Sequence, residues 1–176
     1  FTKGQILICQ MNALTESKFI LAMAKAGITG YAMELMPRIT RAQSMDILSS
    51  QSNLAGYKAV LDSTIHYSRA LPMMMTAAGT VPPARIFVMG VGVAGLQAIA
   101  TARRLGSIVT ATDVRPATKE QVESLGGKFI AVENQEFRKA QTAGGYAKEM
   151  SADYKRKQSR LISDHITKQD IVICTA

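Results

Sequence analysis

Gly90, Gly92 and Gly95 have the spacing G-x-G-x-x-G. They follow the apolar run Ile86-Phe87-Val88-Met89 and precede a helical pattern over residues 96–105. A tight glycine loop between a strand and a helix is the context in which this motif binds a dinucleotide pyrophosphate. The three glycines do different things. Gly90 permits the turn, Gly92 lets the backbone approach the phosphates, and Gly95 allows close helix–strand packing. The helix N-terminus adds free N–H groups and a positive dipole end, so Val93, Ala94 and Gly95 face an anion. Asp113 lies 18 residues beyond Gly95, at the end of the next β-branched run. A carboxylate there accepts hydrogen bonds from the adenosine ribose and repels a 2′-phosphate, which favours NAD over NADP. Arg115 complicates that preference, because an arginine beside this strand end accommodates a 2′-phosphate; it is read here as covering the adenine.

The elements that must hold these residues follow from periodicity and breakers. Residues 85–89, 107–112, 128–132 and 170–175 read as strands, and 96–105, 119–125 and 148–166 as helices. Residues 133–147 are polar and contain Gly144-Gly145, which reads as a long loop. The order calls for a Rossmann-like doubly wound parallel sheet. A six-stranded version needs about two further strands, so the expectation is a sheet cut off mid-fold.

Upstream, residues 5–9 and 28–33 read as short strands on either side of a helix opened by Thr15 and closed by Gly27, a unit that favours parallel pairing. A polar loop over 35–44 leads to a long helix with apolar residues from Met45 to Leu71, ended by Pro72. The expected organisation is a partial N-terminal α/β domain with its connecting helix at 1–71, a linker at 72–83, and a nucleotide-binding domain at 84–176. Met73, Met74 and Met75 are expected to pack at the domain junction.

Composition excludes several classes. The 176 residues are 47% apolar and 19% charged, which is globular rather than disordered. Cys9 and Cys174 match no CxxC spacing, so no metal site is expected and a reducing compartment is the default. No apolar run is long enough to cross a bilayer. The formal charge of +8 gathers around Arg138, Lys139, Lys148, Lys155, Arg156, Lys157 and Arg160. Without interleaved aromatics this is a solvated helix face more readily than a binding patch, and no nucleic-acid partner is expected.

The run MELMPRITRAQSMD at 33–46, the segment LSSQSNLAGY at 48–57, the stretch MMMTAAGTVPPA at 73–84, the glycine-loop segment at 90–106 and AGGYAKEM at 143–150 together resemble the NAD-binding alpha subunit of proton-translocating NAD(P) transhydrogenases, in the alanine dehydrogenase/transhydrogenase family. The resemblance covers the whole chain. It implies that hydride passes from NADH on this component to NADP⁺ on a partner component, coupled to proton movement through a membrane-spanning component. It also implies a homodimer, peripheral on the cytoplasmic side of the inner membrane or on the mitochondrial matrix side. Arg38, Gln43, Asp46 and Ser49 would hold the nicotinamide end; Gln43, Asp46 and Arg38 are the catalytic candidates, and Gln43 would reach towards the NADP-bearing component. Val93, Ala94, Gly95, Asp113, Val114 and Arg115 would hold the pyrophosphate and adenosine half. By the same resemblance Gly145 and Tyr146 would belong to a mobile closing loop, and Gln158 would also touch the nucleotide.

Plainer readings stand beside these. Thr40-Arg41-Ala42-Gln43 is also a capping box, in which Gln43 only caps the long helix. Arg38 and Asp46 would make a surface ion pair, Tyr146 an exposed loop tip, and His66 and His165 ordinary helix residues. The alternative functions are an inactive or incomplete nucleotide-binding fragment of the same subunit and, less favoured, an alanine dehydrogenase-like oxidoreductase. Those dehydrogenases carry a catalytic histidine in the loop where this chain has Gln10-Met11-Asn12.

Overall fold

The structure is a computed structural model that describes residues 1–37, 39–140 and 149–175. Contacts divide the chain into two compact units, Phe1–Gln51 and Ser52–Ala176.

In the first unit, β1 (Ile6–Cys9) and β2 (Thr29–Ala32) pair in parallel, with Ile6 opposite Thr29 and Cys9 opposite Ala32. The helix α1 (Ser17–Lys25) joins them. It ends as the sequence predicts: Gly27 has φ +68°, and the Ile28 N–H returns to the Met23 carbonyl at 3.1 Å. The expected Thr15 cap is not formed; Glu16 precedes the helix without a side-chain cap. Met11 and Met23 are buried and lie beneath Gly30, where a Cβ would come within 2.8 Å of the Met23 terminal methyl. A 3₁₀ turn, Met33–Leu35, follows β2 where the strand was expected to reach Met33, and a second, Thr40–Met45, falls largely in the stretch read as a polar loop.

The helix α2 (Ile47–His66) begins in the first unit and continues into the second. The division between the two units therefore falls inside α2. The physical reason is packing within the second unit. Val60 is fully buried in its core, and a Cβ on Gly56 would stand 2.0 Å from the Ala94 carbonyl oxygen. The expected linker instead holds a hairpin of β3 (Met74–Thr76) and β4 (Gly79–Val81). Met73, Met74 and Met75 are 57%, 48% and 81% exposed, which corrects their expected place in a core: every residue of this hairpin's strands faces solvent.

The rest of the second unit is a parallel sheet ordered β7 (Lys128–Phe129), β6 (Ile108–Thr112), β5 (Arg85–Met89), β8 (Ile171–Cys174). Val88 is opposite Ala111 on one side and Ile173 on the other. Ile86, Phe87 and Val88 are fully buried, as a central strand covered on both faces requires. The connecting helices are α3 (Val93–Arg104), α4 (Thr118–Ser124), the short α5 (Gln135–Arg138) and α6 (Ala152–Ile166). Gly106 closes α3 at φ +88°, and the chain turns there against Pro72. Asn134 caps α5 by accepting the Phe137 N–H at 2.8 Å. The order 7-6-5-8 reverses direction between β5 and β8, a switch point of the kind where open α/β sheets bind ligands. Among the described residues no helix is long and apolar enough to cross a membrane.

Candidate functional site

At the switch point β5 runs out at Met89 and the chain turns into α3. Gly90 takes φ +94°, a region open to glycine at no steric cost, and donates its N–H to the Thr112 carbonyl at 2.9 Å. A Cβ at Gly95 would lie 1.9 Å from the Gly90 carbonyl oxygen, so only glycine brings α3 this close to the turn. A Cβ at Gly92 would meet nothing within 4 Å. Gly92 thus leaves the outer side of the loop open to a ligand, while Gly95 is needed by the protein itself. Val93, Ala94 and Gly95 form the first turn of α3, whose leading N–H groups have no partners within the helix. Thr175 fastens the turn from β8. Its hydroxyl donates to the Gly90 carbonyl at 2.9 Å, and its N–H to the Met89 carbonyl at 2.8 Å. Sequence reasoning did not single out Thr175; its position just beyond β8, the strand beside β5, was the available signal.

Asp113 stands at the end of β6 with its side chain 8% exposed. Its Oδ2 accepts the Val91 N–H at 2.8 Å and Arg115 Nη2 at 2.9 Å. Its Oδ1 accepts the Arg115 N–H at 2.8 Å and Arg115 Nε at 2.9 Å. Arg115 Nη2 also donates to the Val91 carbonyl at 3.1 Å. Burial pushes the Asp113 carboxyl up. Hydrogen bonds from the Arg115 side chain and the Val91 and Arg115 amides, with the Arg115 charge, outweigh burial and hold it below the usual carboxylate range. The hydrogen bond to Asp113 likewise raises the Arg115 guanidinium. The guanidinium is therefore turned onto Asp113 and the glycine loop.

A cavity of about 530 Å³ opens beside Val114 and is lined by Met89, Met150, Tyr154, Gln158 and Ile162 among others. Gln158 is 9% exposed. Its amide is committed: Oε1 accepts the Val132 N–H at 2.8 Å and Nε2 donates to Thr112 Oγ1 at 3.1 Å. It ties α6 to the sheet. His165, farther along α6, shares a 2.8 Å hydrogen bond with Thr110 Oγ1 and meets the Phe87 ring edge-on. Burial, then the nearby Lys168 and Lys128, lowers its pKa. On α6, the exposed Lys155 pairs with Glu149, and Arg156 and Lys157 pair with Asp153.

The second candidate region lies within the first unit. Gln43, Asp46 and Ser49 line one cavity of about 370 Å³ with Pro37, Ile39 and Ala42. Asp46 accepts the Ser49 N–H at 3.0 Å and its hydroxyl at 2.7 Å. That is the N-cap of α2, one residue before Ile47. The capping-box reading of Thr40–Gln43 is thereby corrected: those residues form a 3₁₀ turn with no side-chain cap, and Gln43 is exposed on it. In the loop after β1, the Met11 and Ala13 N–H groups donate to Glu34 at 3.1 and 2.8 Å. These backbone donors, that of Ala13 foremost, lower the Glu34 carboxyl. Arg38, Gly145 and Tyr146 lie outside the described residues.

Comparison with known proteins places the chain in a family. Residues 1–55 match the family model "Alanine dehydrogenase/PNT, N-terminal domain", and residues 59–176 match its C-terminal domain. The chain is 64% identical over 174 residues to an NAD(P) transhydrogenase alpha-subunit polypeptide of Rhodospirillum rubrum, covering 99% of this chain and 45% of the relative. It is 55% identical to the protein of the same name from Rickettsia prowazekii, with the same coverage. The solved transhydrogenase from Sinorhizobium meliloti superposes with a TM-score of 0.87 at 61% identity, over all of this chain and 46% of that one. An L-alanine dehydrogenase structure, at 20% identity and a TM-score of 0.61 over 76% of this chain, shares the fold. The chain spans less than half the length of these curated relatives. With both of its domain models matched in order along the sequence, the chain belongs to the alanine dehydrogenase/PNT family.

Proposed function

We propose that this chain is the NAD(H)-binding component of a proton-translocating NAD(P) transhydrogenase. The observation that carries the reading is the loop from Gly90 to Gly95, open at Gly92, facing the helix N-terminus and bordered by Asp113. Transhydrogenase relatives of high identity along the whole chain support the same reading.

The residues fit a dinucleotide. The first turn of α3 would take the pyrophosphate, Asp113 the adenosine ribose, and the cavity beside Val114 the adenine. Gln158 would shape that cavity through its stem, since both ends of its amide are committed. The nicotinamide, when bound, supplies a hydride donor or acceptor at carbon. Transfer between two nicotinamides moves no proton at an oxygen, so the chain needs no general acid or base. What it must provide is orientation and exclusion of water. Arg38, Gln43, Asp46 and Ser49 are proposed to hold the nicotinamide end, with Gln43 reaching towards NADP(H) on the partner component, and Gly145 and Tyr146 to close over the site. Homodimerisation, a membrane-spanning partner and a peripheral position at the membrane belong to the same proposal. The loop after β1 carries Gln10-Met11-Asn12 instead of a histidine, which disfavours alanine dehydrogenase chemistry.

The test is a fluorescence titration of the purified protein with NADH and, in parallel, NADPH. Saturable binding that prefers NADH is expected. A folded protein that binds neither would remove the reading.

A further inference from the structure

We propose that Arg115 sets the nucleotide selectivity of this site by competing with the adenosine ribose for the Asp113 carboxylate. The inference rests on the dinucleotide reading above and goes beyond it, because Asp113 alone would make the site a simple NAD site.

An ionised carboxylate offers about four lone-pair positions. At Asp113 all four have protein donors: the Arg115 N–H and Nε on Oδ1, and the Val91 N–H and Arg115 Nη2 on Oδ2, between 2.8 and 2.9 Å. A ribose diol that donates to Asp113 must displace some of them. The two amide donors belong to the backbone of the glycine loop and of the turn after β6, and they cannot leave without unmaking the site. The two guanidinium donors can leave by side-chain rotation alone. The Arg115 side chain is 32% exposed against 8% for Asp113, so it has solvent to turn into.

Two consequences have opposite sign for the two nucleotides. For NAD(H), the ribose exchanges against a charge-assisted forked pair, so part of the ribose interaction is cancelled. For NADP(H), the guanidinium lowers the repulsion that Asp113 exerts on a 2′-phosphate, and once rotated it becomes a partner for that phosphate. Arg115 therefore narrows a selectivity that Asp113 would otherwise make wide. It has a structural side as well, through its hydrogen bond to the Val91 carbonyl, and the test has to separate the two.

NADH and NADPH are titrated into the wild-type protein, Arg115→Gln and Arg115→Lys, with circular dichroism and thermal unfolding to show that each is folded. Arg115→Gln should tighten NADH and weaken NADPH. The ratio of the two dissociation constants should widen by about tenfold or more, the size expected when a hydrogen bond to a charged group is exchanged. Arg115→Lys keeps the charge without the fork, so it should retain NADPH binding while gaining part of the NADH improvement. A purely structural latch predicts something else: both nucleotides weaken together in Arg115→Gln and the ratio stays fixed. That result overturns the inference and leaves the dinucleotide site standing. A folded wild-type protein that binds neither nucleotide overturns both.

Discussion

The glycine loop after β5 and the segment before α2 are both candidate binding regions, built on different principles. The glycine loop is held by backbone. Gly90 is tied to Thr112, Gly95 is pressed against the turn, and Thr175 bonds the Gly90 carbonyl from the neighbouring strand. The segment over Thr40–Met45 is a 3₁₀ turn in which Ala42 is the only buried residue, and its cavity is lined by side chains such as Gln43, Asp46 and Ser49. A shape defined by the main chain suits a group common to many ligands, a pyrophosphate. A shape defined by side chains suits the reacting end, where identity matters. Substitutions that press on the main chain should therefore act through folding in the first region, and substitutions of exposed side chains should act without it in the second.

The largest effect is expected at Gly95. Its added methyl would meet the Gly90 carbonyl at 1.9 Å, and backbone cannot yield as a side-chain tip can. Gly95→Ala should destabilise by on the order of 1–3 kcal/mol in chemical denaturation and abolish NADH binding. Gly92→Ala sharpens the contrast within one loop. Nothing obstructs its methyl inside the protein, so stability should stay within about 0.5 kcal/mol of wild type. NADH binding should nevertheless fall, because that methyl occupies the side proposed for the ligand. Equal stability loss in the two variants would break the division of labour between the glycines.

Gly56→Ala comes next. Alanine raises intrinsic helix stability by up to about 1 kcal/mol, yet here its methyl would stand 2.0 Å from the Ala94 carbonyl in the first turn of α3. Net destabilisation of about 1–2 kcal/mol is expected, with weaker NADH binding, since α2 supports the helix end proposed to take the phosphates. A stabilised protein with unaltered binding would detach α2 from the site.

These cases also show what a sequence can disclose. The loop from Gly90 to Gly95 was legible because its requirements are local: an apolar strand, three glycines, a helix and a carboxylate at a set distance. Gly27 and the parallel β1–β2 pairing were legible for the same reason. What stayed hidden depends on distant partners. Gly56 looks like a helix weakness until Ala94 is placed against it. The bonds of the Gln158 amide to Val132 and Thr112 could not be read from the sequence either. Met73–Met75 read as core because methionine usually is, but strands of three residues cannot cover one another. The capping box at Thr40 lost to Asp46 because Asp46 stands directly before the helix that forms and accepts both the N–H and the hydroxyl of Ser49.

In the second region, Asp46→Ala should cost about 1 kcal/mol through loss of the α2 cap. Gln43→Ala should leave thermal unfolding unchanged, because Gln43 is exposed and caps nothing. In the complete protein the same change should still slow hydride transfer between nicotinamides without loosening NADH. Stopped-flow measurement of transfer beside an NADH titration separates the two, and unchanged transfer would return Gln43 to an ordinary surface residue.

The smallest effect expected is a pH dependence in the scaffold beneath the glycine loop. His165 packs on Phe87 of β5 and shares a hydrogen bond with Thr110 of β6. Its folded pKa lies below the ordinary 6.5, from burial first and then from Lys168 and Lys128. The unfolded chain therefore binds more protons in this range. The contribution is complete above pH 6.5 and is lost as pH falls from there through the folded pKa. Thermal unfolding of wild type and His165→Gln between about pH 7.5 and 5 should converge as the pH drops, since only the wild type loses this interaction on acidification. NADH affinity should fall with the wild-type transition only if α6 and the loop are coupled through β5. Parallel unfolding curves for the two proteins would mean that His165 adds no pH-dependent stability, and an NADH affinity that stays level through the wild-type transition would mean that the loop is held by its own backbone contacts, which would carry the contrast between the two regions further than the geometry by itself does.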